Sequence, residues 1–309
     1  MLTLADVVLR QSGQGIVQNR HEFPGGDIHT FVRRQHVLAL IDIGATRPRN
    51  EEGGGSILDL RDIQQAQESY TRELLQVIPA DVQSVLDVGC GIGDNARAML
   101  SRGLKVTALS PDENHKRYFE DIRAPNLSFH SSRFEVFETD QIFDLVLMSE
   151  SQNYFDAEIG LKQARRYLRA GGYLLIAGMF RKDCRTDFGA IPNIKQDYLE
   201  KAERNGFVTL EARDITRHVL PTIQIVNNTR LLYLEPSFDL AKRYLHASMP
   251  LKLKLLKLLF RKQIKELAEL ASYYARRTNP ELFAAQVEYL IVLLQAQRLP
   301  AKSEAGSAY

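Results

Sequence analysis

The chain has 309 residues, 44% hydrophobic and 25% charged, the balance of a soluble globular protein with one large core or two smaller ones. Its 40 Lys and Arg against 38 Asp and Glu leave a formal net charge of +2, so no global field attracts nucleic acid. The two cysteines, Cys90 and Cys184, exclude a disulfide framework or a zinc knuckle and fit a reducing compartment.

The N-terminus "MLTLADVVLRQSGQG" lacks a basic start followed by a long apolar core, so a signal peptide is not expected. No apolar run reaches the roughly 20 residues of a membrane-spanning helix. A cytoplasmic protein is expected, with at most peripheral membrane contact. Residues 1–60 show no clear period and carry two glycine clusters; they read as an N-terminal cap closed by the loop "RPRNEEGGGS". From 61 to 216, apolar runs at 84–90, 105–110, 127–131, 143–149, 172–180 and 207–212 alternate with amphipathic stretches such as "DNARAMLSRG". That alternation predicts an α/β fold, a doubly wound, mostly parallel sheet covered by helices on both faces. Residues 217–286 read as a helical insertion, a lid. The run "VEYLIVLLQAQR" at 287–298 is either a further helix or a buried last strand; the strand is favoured, with the tail completing a 287–309 segment.

The chemistry centres on "VLDVGCGIGDNA" at 85–96. An apolar strand runs into a glycine turn and a helix follows, the place where doubly wound sheets bind ligands. The dinucleotide pattern G-x-G-x-x-G needs a glycine at 94. Here the third glycine is Gly93, and Asp94 stands next. A carboxylate at a helix start repels phosphate and is able to cap the same amides. The dinucleotide pattern also wants an acid at the end of the second strand, where this chain has Ser110. A phosphate-free ligand is therefore expected.

This stretch resembles motif I of the class I S-adenosylmethionine-dependent methyltransferases; Asp87, Gly89, Cys90, Gly91 and Gly93 match position by position. "DIQQAQESYTRELLQVIPADVQSVLDVGCGIG", with Ala66 and Gln67, looks like the cyclopropane fatty-acid synthase branch. The resemblance implies a Rossmann-like core over 61–216 and S-adenosylmethionine as cofactor. The glycines then let the backbone approach its methionine and ribose portions, and Asp87 faces its ammonium group. Ser110 replaces the usual ribose-binding acid, so Asp112 or Glu113 takes that role. Ser132, Arg133 and Phe134 fall on the adenine side, and Ser149 joins the cofactor contacts. The tyrosine-serine-cysteine segment of the synthases is missing ahead of the fold, where "NEEGGGSILDL" stands, so cyclopropane formation is disfavoured.

Methyl transfer asks the protein mainly to align an acceptor and exclude water, while a hydroxyl acceptor also gains from a base. Glu150, Asn153 and Tyr154 in "SESQNYF" face the methyl group in such a fold, or merely cap a strand end. His218, after the sixth strand, is the histidine best placed as a base, or is simply exposed. No metal site is expected. In 251–274, Leu256, Phe260, Ile264, Leu267, Ala271 and Tyr274 form an apolar stripe beside Lys254, Lys257, Arg261 and Lys265. This helix either lies on an anionic membrane through 251–265 or packs on the core as a lid with a solvated basic face. The expected activity is methyl transfer to a small, lipophilic metabolite, at oxygen or carbon. Two alternatives are an NAD-dependent oxidoreductase and a non-catalytic methyltransferase-like binding module. No nucleic-acid partner is expected.

Overall fold

The computed structural model describes residues 60–184, 188, 190–250, 252 and 258–297. The expected N-terminal cap, Leu256, and the basic pair Lys254 and Lys257 lie outside them, as does the side chain of Leu267. Helix α1 (Leu60–Gln76) leads into β1 (Ser84–Val88). Then come α2 (Asp94–Ser101), β2 (Lys105–Ser110), α3 (Lys116–Glu120) and β3 (Leu127–Ser131). β4 (Phe143–Ser149), α4 (Ala157–Tyr167), β5 (Leu168–Arg181), α5 (Lys195–Arg204) and β6 (Phe207–Asp214) complete the alternation. Helices α6 (Thr216–Thr229), α7 (Glu235–Ser248), α8 (Arg261–Arg277) and α9 (Pro280–Gln286) separate it from β7 (Val287–Ala296). The segment with two sequence readings is thus a strand.

The seven strands form one sheet in the order β3-β2-β1-β4-β5-β7-β6. β1 to β5 run parallel, and β7 lies antiparallel between β5 and β6. Side chains alternate between the faces with period two. Val85, Leu145, Leu147, Leu175, Ala177 and Tyr289 point to the side of α1, α2, α6 and α9. Leu86, Val146, Met148, Leu174, Ile176 and Leu290 meet α4 and α5 on the other side. Asp87 and Ser149 continue the first set, which puts them on the α1 face.

The N-terminal edge is locked by charge. Asp144 accepts the Ser84 amide at 2.9 Å and Arg169 Nε at 2.6 Å, which fixes β1, β4 and β5 against one another. Strand order reverses between β1 and β4, so the cleft opens above their carboxyl ends. Among the described residues no helix is long and apolar enough to cross a membrane.

Candidate cofactor and acceptor site

The turn after β1 is built for close approach. Gly89 has φ +78°, and a Cβ placed there would stand 2.6 Å from the Cβ of Ser151. The β1 turn and the segment after β4 therefore touch backbone to side chain, a fit that only glycine allows. Gly91 has φ +54° with nothing within 4 Å of its Cβ direction, so this part of the turn presents bare backbone. The Gly89 and Cys90 amides donate to the Leu109 carbonyl at 2.8 and 3.1 Å, and the Gly93 amide closes the turn on Cys90 at 3.1 Å. Cys90 is buried, and its burial drives the thiol pKa strongly upward, which makes it a packed residue of the turn rather than a nucleophile. Asp94 does not cap the helix it starts. Gly93 is the N-cap with no side-chain hydrogen bond, and the Asp94 carboxylate pairs with Arg97 at 3.3 Å.

Asp87 is 1% exposed, and neither carboxylate oxygen has a hydrogen-bond partner among the described residues. Burial alone pushes its pKa up to about 7. A buried carboxyl without a donor is costly, and a cationic ligand group placed against it removes that cost. Beyond β4, the Ser151 hydroxyl and Gln152 Oε1 are also buried without partners among the described residues. Gln152 and Asn153 donate to the Met179 carbonyl at 3.5 and 3.0 Å, and Asn193 donates to Asn153 Oδ1 at 2.9 Å. The polar run Glu150–Asn153 is thus pinned under the end of β5.

Glu150 is the only non-glycine described residue with positive φ, at 61°. That conformation is strained for a residue with a Cβ. It is held by the Glu150 amide donating to the Ala177 carbonyl at 2.7 Å and by Tyr289 Oη donating to the Glu150 carboxylate. The Tyr289 ring meets Tyr70 edge-on at 6.1 Å, and Tyr70 shares a 2.7 Å hydrogen bond with the Ser149 hydroxyl. Four residues from α1, β4 and β7 therefore form one framework at the mouth of the cleft. Ser149 and Glu150 were legible from the sequence. Tyr289 and Tyr70 were not, because the Met179↔Tyr289 register that brings Tyr289 here is a long-range pairing.

At the end of β2, Ser110 is buried and its hydroxyl lies 2.8 Å from His115 Nδ1, while the Asp112 amide donates to it at 3.2 Å. Burial holds the His115 ring below the usual imidazole pKa, so it is neutral at pH 7. The Asp112 carboxylate accepts the Asn114 amide at 2.9 Å. The ribose-side candidates form a small network in which His115 is the member the sequence reading missed; only its three-residue spacing from Asp112 hinted at it. Ser132 donates its amide to the Ser110 carbonyl at 3.0 Å, and Arg133 pairs with Glu135 at 3.1 Å on the surface. Phe134 is buried against Phe155 and Tyr167 on the α4 side, so packing takes up its ring. Tyr154 is 44% exposed. His218 is exposed on the first turn of α6, whose Thr216 hydroxyl accepts the Tyr289 amide at 2.9 Å. Among the described residues no group of His, Cys, Asp and Glu is arranged to hold a metal ion.

An open sheet of this strand order, a glycine turn followed by Asp94 and a buried carboxylate without a hydrogen-bond partner among the described residues are the arrangement that the sequence resemblance to class I methyltransferases leads one to expect. Residues 86–176 match the family described as "Methyltransferase domain". The chain is 28% identical over 189 residues to an "O-methyltransferase" of Pyrenophora dematioidea, across 55% of this chain and 71% of that one. It is also 28% identical over 138 residues to "Probable methyltransferase PMT7" of Arabidopsis thaliana, across 42% of this chain but 22% of that one. Among solved structures, the cyclopropane synthase MmaA2 from Mycobacterium tuberculosis superposes with a TM-score of 0.54 at 13% identity, covering 84% of this chain and 93% of that one; this likeness is one of fold. The matched segment, residues 86–176, is a methyltransferase domain, and S-adenosylmethionine is the cofactor of such a domain. The residues present fit that group: the buried Asp87 carboxylate, with no hydrogen-bond partner among the described residues, would take its ammonium, and the bare backbone at Gly91 would leave room beside it.

One consequence concerns Gly89. Gly89→Val adds a branched side chain where a Cβ alone already collides with Ser151, in a φ that valine avoids. We expect cofactor binding to be lost in calorimetry. Gly91→Ala, which meets no protein atom, is expected to keep the fold and weaken binding alone. Wild-type affinity in both variants would show that the turn does not carry the cofactor.

Proposed function

We propose that the protein transfers a methyl group to a hydroxyl of a small, lipophilic acceptor, with Glu150 as the residue that takes up the acceptor proton. The observation that carries this is the strained, hydrogen-bonded Glu150 at the end of β4, buried to 8% exposure beside the Gly89 turn. S-adenosylmethionine supplies an electrophilic methyl on a sulfonium and needs no further activation. What remains for this chain is to orient the acceptor oxygen, exclude water and accept a proton. Asp87 anchors the cofactor cation, and the glycine turn and the Ser110–Asp112–His115 network hold the rest of it. Tyr154, at the mouth, positions the acceptor. The insertion between β6 and β7 is read as a lid through α6 and α9, whose Val219, Ile223 and Phe283 pack on the core, and this supports an apolar acceptor. The exposed position of His218 supports Glu150 over it as the base. Methylation at carbon is the second reading, supported by the sequence resemblance of 61–91 to the cyclopropane-synthase branch.

The stretch 251–265 is read as a peripheral contact with an anionic membrane, where a lipophilic acceptor partitions. In its described part, Leu258, Leu259, Phe260 and Ile264 are exposed; the apolar stripe reaches the core only further on, where Tyr274 packs against it. Incubating the protein with methyl-labelled cofactor and a lipid-soluble host extract, then identifying the labelled product, tests the proposal. An O-methylated apolar product is expected. Label confined to water-soluble products would overturn the lipophilic acceptor, and label on carbon would overturn the role of Glu150 as base toward a hydroxyl.

A further inference from the structure

The last turn of α8 holds a charge that the methyl-transfer scheme leaves unused. Arg277 is 2% exposed and is the only buried Lys or Arg among the described residues. Arginine is almost never buried to this degree without an anionic partner. Its neighbour Arg276 stays on the surface and donates to the Ser272 hydroxyl at 3.3 Å. Arg277 turns inward instead, and its guanidinium lies 5.0 Å from the Tyr273 ring centroid and 5.5 Å from that of Phe188. Nη1 donates to the Tyr273 hydroxyl, and among the described residues no carboxylate faces the group. Nε is buried without a partner. The two rings offset part of the cost of burying the charge, but they leave in-plane N–H donors unpaired. Nε and Nη2 form the edge of a guanidinium that takes a carboxylate through two parallel hydrogen bonds. Tyr273 occupies only Nη1, so that fork is open.

The place of this fork ties it to the acceptor. Phe283 of α9 packs edge-on against Phe188, with ring centroids 5.8 Å apart. Helix α9 passes directly into β7 at Val287, and Tyr289, two residues further, donates to the Glu150 carboxylate. Phe188 follows the carboxyl end of β5, and Phe188, Phe283, Val287 and Tyr289 belong to one cluster on the α1 face of the sheet. The unpaired cation and the Glu150 framework therefore lie at the same end and on the same face, with an apolar, aromatic wall between them. The charge narrows the chemistry further. One guanidinium balances one negative charge, and no second buried cation stands ready for a phosphate dianion. Aromatic surroundings also disfavour a strongly hydrated ion and suit an acid carried on an apolar body.

We propose that Arg277 binds a carboxylate of the methyl acceptor, so that the acceptor is a hydroxy acid with an apolar body, its hydroxyl at Glu150 and its acid at Arg277. The proposal rests on the reading of the protein as a hydroxyl methyltransferase and adds the acceptor's second group. Thermal melting of the full chain with 3-phenylpropanoate, and with its neutral counterpart 3-phenylpropanol, tests the site without any turnover. The carboxylate is expected to raise the wild-type melting temperature and the alcohol to leave it nearly unchanged. Ligand-free Arg277→Met is expected to melt no lower than wild type, because it removes an uncompensated buried charge; that readout also shows that it has folded. Its shift with 3-phenylpropanoate should vanish, and Arg277→Lys, which keeps the charge but not the fork, should recover part of it. With methyl-labelled cofactor and lipid-soluble extract, label is expected in the acidic fraction and to fall about 10²-fold in Arg277→Met, the loss typical of a truncated buried charge pair. Equal shifts with acid and alcohol, or a carboxylate shift that survives in Arg277→Met, overturn the site and leave Arg277 a packing residue. Loss of S-adenosylhomocysteine affinity in Arg277→Met assigns the fork to the cofactor's carboxylate and overturns the acceptor role. A labelled product in the neutral fraction overturns the hydroxy acid while hydroxyl methylation stands. A carboxylate shift that depends on Arg277, with no lipid-soluble product at all, supports the site and overturns the methyl-transfer reading instead.

Discussion

Asp87→Asn is expected to give a protein that melts higher than wild type at pH 8 and binds S-adenosylmethionine about 10²–10³-fold more weakly, the loss typical of removing one partner of a buried charge pair. Both effects come from one orphaned carboxyl. Burial raises its pKa from 3.8 to about 7 in the folded protein without ligand, a difference of roughly 4 kcal/mol between charged and neutral forms. A raised folded-state pKa means that the group's favourable contribution is complete below the unfolded value near 3.8. It is lost as pH rises through about 7. At pH 8 the ligand-free wild type therefore carries the full cost of an ionised, unpartnered carboxylate, and asparagine removes it. The cofactor ammonium removes it in another way, by pairing with the charge. Wild-type affinity should accordingly fall about tenfold per pH unit below 7, because binding must first expel the proton, whereas the Asn variant shows no such dependence. Calorimetry in two buffers of different ionisation enthalpy reads the released proton directly. Equal melting temperatures and equal affinities for the two proteins would remove Asp87 from the cofactor site.

That site was largely legible from the sequence on its β1 side, because its signals are local. The run "VLDVGCGIG" encodes a strand, a turn and a helix start within a dozen residues, and Asp87, Gly89 and Gly91 stand where that order puts them. The strands were legible for the same reason, each being a short apolar run bounded by a turn. The misses are long-range. Tyr289 reaches Glu150 only because β7 inserts antiparallel between β5 and β6, and nothing within "VEYLIV" announces that partner. Tyr70 on α1 is one of many aromatic residues until the fold brings Ser149 to it. Asp94 shows the opposite failure: a helix-start acid suggested capping, yet Arg97 one turn on offers a charged partner at 3.3 Å and takes the carboxylate away from the amides. His218 was placed at the right edge of the sheet but on a solvent-facing turn, since a sequence fixes the end of a strand more readily than the side on which the next helix starts.

Glu150→Gln separates alignment from proton transfer. If Glu150 accepts the acceptor proton, turnover should fall 10²–10⁴-fold, the usual range for a lost general base, with affinity for S-adenosylhomocysteine unchanged. Glutamine is nearly isosteric and leaves the backbone at φ 61° as it was, so a fall in kcat reports chemistry rather than collapse. Tyr289→Phe probes the framework behind it. The ring and its edge-on packing against Tyr70 remain, and only the hydrogen bond to the Glu150 carboxylate is lost. Tyr289 touches neither acceptor nor cofactor in this scheme, so its variant should lower kcat by about tenfold, a loss near 1.4 kcal/mol, and shift the pH–rate profile without changing KM for the cofactor. A residue that merely packs would alter melting temperature and leave that profile in place. His218→Gln is the control for the competing base. Nearly full turnover is expected, because the ring faces solvent. If His218→Gln instead loses turnover while Glu150→Gln keeps it, the proton leaves by way of α6, and the strained turn after β4 serves only to shape the acceptor pocket.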